Sequence, residues 1–319
     1  VRQDRGPVIT EPGVYDLSLA EYLADPAPDP SLSAGVAVRL LERSPWHAYC
    51  AHPRLGAPEQ RYRRDGAIGT VFHAMFLGVG ADYAVVDPTD YPSKDGNIPK
   101  GWTNKAIQDA RDALIEDGKT PIFLNDFETV EAMVEAASVQ LDRHEIGNFT
   151  NRPGKAEQTL LWQEGSVWCR SRPDWMPADL KAEPWIVNLK TSTCAHPDVW
   201  ARLVFNTGYD LSAAHYIRSV EMTLGFEVVE RFVVVETEPP HALSVIELSR
   251  NAMWMAEKRR SAAVEMWRAC LERDSWPGYP RRVCTIDLPP YREAQQTERE
   301  IAGRYDPAYL DVLIEASAP

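Results

Sequence analysis

The chain has 319 residues, 44% of them hydrophobic and 25% charged, which fits one large globular domain or a domain plus an arm. Its net charge of −13 excludes a broad basic surface for nucleic acid but not a basic channel inside an acidic body. No apolar run approaches the roughly 18 residues of a membrane helix, and none follows Val1-Arg2-Gln3-Asp4-Arg5, so neither a membrane span nor a signal peptide is predicted. A start at Val rather than Met reads as a trimmed or engineered N-terminus.

Residues 1–30, rich in Pro, Asp and Ala, read as an extended arm. Residues 33–43 have helical periodicity, and Ser44-Pro45 ends that helix and opens a short one. Residues 65–77 read as an amphipathic helix, in which Gly69 is costly unless close packing requires it. Residues 82–99 read as a strand followed by turns, and Thr103 caps a helix to about residue 117. Residues 121–124 are extended. Residues 126–143 carry a helical stripe of Val130, Met133, Val134, Ala137 and Leu141.

The middle of the chain is β. Residues 156–163, 166–172 and 184–191 read as three successive strands of one meander, with a hairpin at Glu164-Gly165. Helices follow over 196–205 and 210–224. A strand pair over 228–236 and 243–248 turns at Pro239-Pro240, and a long helix covers 249–272. The order predicts an α/β class, more fully α+β with a mixed sheet. The domain spans 31–275, and 276–319 is a C-terminal extension with a helical segment near 291–302.

The five cysteines, Cys50, Cys169, Cys194, Cys270 and Cys284, are widely spaced and contain no C-x-x-C, which disfavours a zinc site. Free thiols in a reducing cytoplasm are the expectation. Cys50, Cys194, Cys270 and Cys284 follow the order of an iron–sulfur nuclease but lack its tight C-terminal spacing. Basic clusters occur at Arg61, Arg63 and Arg64, at Arg170 and Arg172, at Arg259 and Arg260, and at Arg281 and Arg282.

The string Arg172-Pro173-Asp174, followed by Trp185-Ile186-Val187-Asn188-Leu189-Lys190-Thr191, carries most of the chemistry. Phosphodiester hydrolysis needs acids that hold a divalent cation and a cation near the attacking water. Position 188 and Lys190 are two apart on one strand, so their side chains share a face. Asp174 can meet them across the sheet, and the Leu189 carbonyl is a further candidate ligand. His73 can complete a mixed nitrogen and oxygen shell for Mg²⁺ or Mn²⁺, or be a hydrogen-bonded core residue. Glu157 lies on the first meander strand, with Leu160 and Trp162 on the opposite face, as a site acid or a solvated one. Arg170, Arg172, Thr191, Tyr209 and Tyr216 are the candidate DNA contacts; the two tyrosines can stack a base or serve as structural aromatics.

Several stretches together resemble one family. They are residues 31–33 through 44–49, Gly69-Thr70-Val71-Phe72-His73, Glu157 through Trp162, Cys169 through Trp175, Ile186 through Ser192, and Gly208 through Tyr216. The chain resembles the RecE-type exonucleases (exodeoxyribonuclease VIII) and their phage relatives, in the PD-(D/E)xK superfamily. The resemblance implies a mixed sheet flanked by helices, metal binding by His73, Asp174 and position 188, and a water-activating Lys190. It implies Glu157 in or beside the site. It further implies digestion of linear double-stranded DNA from 5′ ends, as ring-shaped homo-oligomers working with a single-strand annealing protein.

Two positions depart from the family pattern. Ser212 stands where glutamine is usual, and Asn188 where the pattern has aspartate. The amide has one oxygen and no charge, so a loss of about 10² in rate is expected, as for loss of one electrostatic stabiliser. The expectation is an aspartate replaced by engineering, with Asn188→Asp as its test. The alternatives are a non-catalytic DNA-end-binding protein on the same fold and an iron–sulfur nuclease.

Overall fold

The structure, a computed structural model, describes residues 8–56, 64–93 and 95–316. Arg61 and Arg63 of the first basic cluster, and residues 1–7 of the arm, lie outside these residues.

The arm is more ordered than its composition suggests. It forms strand β1 (Gly13–Tyr15) and helix α1 (Leu19–Leu23), which Ser18 and Glu21 start with a reciprocal capping box. Strand β2 (Leu32–Ser33) leads into helix α2 (Ala34–Glu42), and Pro45 sits in the first turn of helix α3 (Pro45–Ala51), where its missing N–H costs nothing. Helix α4 (Arg64–Leu77) precedes strand β3 (Tyr83–Val86). Helix α5 (Lys105–Glu116) is capped by Asn104 rather than Thr103, because the Asn104 side chain accepts from the Ile107 N–H at 3.0 Å. Strand β4 (Thr120–Phe123) pairs parallel with β3, and helix α6 (Leu124–Asp142) buries Val130, Met133, Ala137 and Leu141.

The expected three-strand meander is split between two sheets. Strand β5 (Gly154–Ala156) and strand β6 (Thr159–Glu164) are separate because Glu157 between them has φ 56°. Glu157 therefore stands in a bend, not on a strand. Strand β6 pairs antiparallel with β7 (Val167–Ser171) across the Glu164-Gly165 turn, as expected. The ladder then stops at Arg172-Pro173, since proline has no N–H to donate. The chain crosses through β8 (Trp175–Pro177) to β9 (Trp185–Ser192), where Trp175 pairs with Val187.

After β9, helices α7 (Pro197–Thr207) and α8 (Tyr209–Leu224) form the crossover to strand β10 (Val229–Glu236), which runs parallel to β9 along all eight of its residues. Strand β11 (Leu243–Glu247) returns antiparallel, and helix α9 (Arg250–Arg273) packs against α8 and α2. Among the described residues one sheet has the order β1-β6-β7-β2 and another the order β11-β10-β9-β8-β5. Val187, Leu189 and Val233 lie in one core with Phe72 of α4 and Met133 of α6. Ile186 and Val220 of α8 belong to a second core on the opposite face of β9. The alternation of side chains along β9 makes this two-faced burial possible. Asn188 and Lys190 share the phase of Ile186.

Val1–Gly278 form one compact unit and Tyr279–Pro319 another. The second contains helix α10 (Pro290–Ile301) and the unanticipated α11 (Tyr309–Ala316), neither with a buried residue. Among the described residues no helix is long and apolar enough to cross a membrane.

Candidate metal centre

The two places where the chain changes sheets lie side by side. Glu157 donates its backbone N–H to the carbonyl of Asp174 at 3.1 Å. The bend at Glu157 and the proline-terminated end of β7 thus bring two carboxylates to one point. His73 reaches it from α4, with Nδ1 3.8 Å from Asp174 Oδ1. One ligand atom each of His73, Glu157 and Asp174 falls within 4.8 Å of the others. Two carboxylate oxygens and an imidazole nitrogen at this span suit a divalent cation that accepts mixed ligands.

The electrostatics match that use. Burial holds the His73 imidazole below its ordinary pKa; Asp174 opposes the shift and Lys190 adds to it. A neutral ring keeps a lone pair for a metal. Burial, then the neighbouring Asp174, raises the Glu157 pKa, while Arg172 and Lys190 counter them. Two acids so close repel, and a bound cation relieves that repulsion.

Strand β9 supplies the second half of the site. The Leu189 N–H donates to Asp174 Oδ2 at 2.5 Å. Lys190 Nζ donates to the Leu189 carbonyl at 3.1 Å and to Asn188 Oδ1. The structure therefore gathers imidazole, acids, amide and ammonium around residues 188–190. Helix α4 comes this close because Gly69 has no side chain: a Cβ there would lie 3.1 Å from Thr191 Oγ1. The sequence expectation that Gly69 serves close packing fits this contact.

A family model for a PDDEXK-like domain of unknown function (DUF3799) matches residues 68–287. The chain belongs to this family. That places it in the PD-(D/E)xK nuclease superfamily, whose members generally use divalent metals. No curated protein matches. A solved structure of a candidate exonuclease from Eubacterium rectale is similar in fold, at TM-score 0.55 and 12% identity, over 86% of this chain and 97% of that one. The solved structure of SSO0001 overlaps at TM-score 0.28 and 11% identity, over 68% of this chain and 88% of that one.

A cleft of about 340 Å³ opens onto His73 and Glu157, walled by Gly69, Thr70 and Thr191 and by Leu19 of the arm. A larger cleft of about 830 Å³ shares Thr191 with it. That cleft carries the hydroxyls of Thr129, Ser192, Thr193 and Thr237, but also Asp126, Glu128 and Glu238, so it is not a basic track.

The two arginines expected at DNA are turned inward. Arg170 is buried and bonds Ser31 and Asp25. Arg172 is buried and bonds Glu157, the Leu17 carbonyl and Thr159. A guanidinium taken from water needs partners, and the folded arm supplies them, with the Tyr22 ring 5.6 Å from Arg170 and 5.8 Å from Arg172. Arg172 reaches the site through its bond to Glu157. Tyr216 is half-buried: its ring packs against the core of Leu160, Ile186 and Val220, and burial, then Tyr22, Asp174, Glu230 and Glu157, raises the pKa of its hydroxyl. Tyr209 stacks on Trp200 and presents its ring 5.5 Å from Lys190 Nζ. Thr191 alone of the five lines the clefts.

Sequence reasoning missed Glu230. It is buried on β10, and its Oε1 accepts from Asn188 Nδ2 at 2.9 Å. Burial pushes its pKa up to about 8, against the Asn188 hydrogen bond and the Lys190 charge. A signal existed: in Glu230-Arg231-Phe232-Val233-Val234 an acid stands in phase with two buried residues, Phe232 and Val234.

Proposed function

We propose that this chain is a metal-dependent exodeoxyribonuclease that digests linear double-stranded DNA from 5′ ends, in recombination or phage replication. The observation that carries the reading is the convergence of His73, Glu157 and Asp174 on one point beside Lys190. Mg²⁺ or Mn²⁺ held there would polarise the scissile phosphate and lower the pKa of a bound water. His73, Asp174 and Glu157 would hold the cation, and the Asn188 oxygen and the Leu189 carbonyl are the further candidate ligands from β9. Lys190 orients the attacking water and offsets developing charge. Thr191 contacts the DNA backbone at the junction of the two clefts.

Asn188 leaves the site one negative charge short of the superfamily pattern. Turnover is accordingly set about 10² below that of an aspartate-bearing centre. A ring-shaped homo-oligomer accounts for the net charge of −13, since an acidic exterior can surround a less acidic hole. A single-strand annealing protein in the cytoplasm would take up the exposed 3′ strand.

The test is single-turnover digestion with Mn²⁺ of linear duplex labelled at either 5′ or 3′ ends, beside covalently closed circles. The reading requires slow loss of the 5′ label, intact circles, and no loss with Asp174→Ala. Comparable nicking of circles makes the chain an endonuclease. The uncharged amide at 188 favours a second reading, a non-catalytic DNA-end-binding protein. Tight binding to duplex ends without any cleavage selects it.

A further inference from the structure

We propose that Glu230 is a positioning residue for the metal centre: it locks the Asn188 amide with its oxygen turned toward Lys190 and the cation. This rests on the metal-centre reading above. An asparagine can present either end of its amide, and only the oxygen can ligate a cation. Which end faces the site is decided by the groups on its two sides. On one side Lys190 Nζ, a donor without acceptor capacity, points at Oδ1. On the other, Glu230 Oε1 accepts from Nδ2 at 2.9 Å. Turning the amide over would set its NH₂ against the Lys190 ammonium, two donors facing each other with no acceptor between them. The Lys190 contact would be lost outright.

Among the described residues the Asn188 amide is the hydrogen-bond partner of the Glu230 side chain. Its Oε2 is buried and has no hydrogen-bond partner among the described residues. A buried carboxyl group without full pairing is costly in a strand core, so a stability role alone does not explain it. It sits two residues before Phe232, which pairs directly with Asn188 in the parallel β9–β10 ladder. An aspartate at 188 would offer Glu230 no amide donor, and the two could bond only while one of the carboxyl groups kept a proton. Asn188 and Glu230 are therefore matched: the acid on β10 suits an amide on β9, and a lone Asn188→Asp change does not simply restore an aspartate centre.

The test is calorimetric titration of the full chain with Mn²⁺ at fixed pH. Glu230→Leu is expected to bind Mn²⁺ about tenfold or more weakly, the usual loss when the partner of a metal ligand is removed. Glu230→Gln keeps an acceptor for Asn188 Nδ2 and is expected to retain nearly the parent affinity, a rescue that packing alone would not give. In Asn188→Asp/Glu230→Gln the glutamine can donate to Asp at 188, so this pair should bind Mn²⁺ more tightly than the parent and than Asn188→Asp alone. Parent-like affinity in Glu230→Leu, or a double variant no tighter than Asn188→Asp, overturns the positioning role. If Glu230→Leu does not fold, the second comparison decides. The expected ranking without any DNA cleavage leaves the role standing and sinks the nuclease reading. A parent chain that binds no Mn²⁺ removes both.

Discussion

Asn188 and Glu230 meet across two parallel strands, amide to carboxyl, with 2.9 Å between Nδ2 and Oε1. The contact places an ionisable group in the core directly behind the candidate metal centre. Its consequences extend to stability as well as to metal binding.

Glu230 has an ordinary value of 4.5 and a folded value of about 8, raised mainly by burial. The folded state thus binds a proton that the unfolded chain releases. Its contribution is full below about pH 4.5 and is lost as pH rises to about 8. Metal-free unfolding midpoints should show this fall in the parent, and Glu230→Gln, which does not ionise, should flatten it. An equal slope in both proteins contradicts the assignment.

Lys190 is only partly buried, and its ammonium bonds one side chain and one carbonyl. Lys190→Ala should abolish cleavage of linear duplex while shifting stability by no more than about 1 kcal/mol. Paired nuclease and urea-unfolding assays check this. A collapse of stability would make the lysine a packing residue.

Asp25 is buried, with φ 63°, and its carboxylate serves Ser31, His52, Arg54 and Arg170. Asp25→Ala leaves Arg170 buried without its counter-charge, which should cost about 3–5 kcal/mol. The same loss should loosen the arm that brings Leu19 to the cleft. Chemical denaturation measures the first effect, and amide hydrogen exchange over residues 13–23 the second.

Gly208 joins α7 to α8 with φ 75°, and a Cβ there would lie 2.7 Å from Val38 Cγ1. Gly165, at φ 60°, faces open space. Gly165→Ala should therefore cost about 1 kcal/mol of backbone strain. Gly208→Ala should cost about 2–4 kcal/mol, because overpacking against α2 is added. Equal losses would mean that the contact with Val38 gives way freely.

Local signals carried most of the elements. The periodicity of α6, the Ser44-Pro45 break and the Glu164-Gly165 hairpin depend on near neighbours and were legible as such. The split of the meander was not, because it depends on which sheet each strand joins after Pro173. Asp174, position 188 and Lys190 were recognisable as chemistry-bearing residues from their motif, whereas the residues alone left His73 and Glu157 open and the family resemblance gave them their place. The inward turn of Arg170 and Arg172 was hidden, because it requires an arm more than 130 residues away to fold over them. Glu230 was hidden for the same reason: its partner is 42 residues away on a parallel strand. Arg170 and Arg172 show how a basic pair in sequence can serve burial instead of phosphate.

The proposed chemistry depends on a divalent cation held between His73, Glu157 and Asp174. Anomalous scattering from a crystal soaked in Mn²⁺ tests it most directly. One strong peak is expected, bonded to those three side chains, with the Asn188 oxygen and the Leu189 carbonyl facing it. A peak elsewhere, or none at a concentration that supports cleavage by other superfamily members, contradicts it.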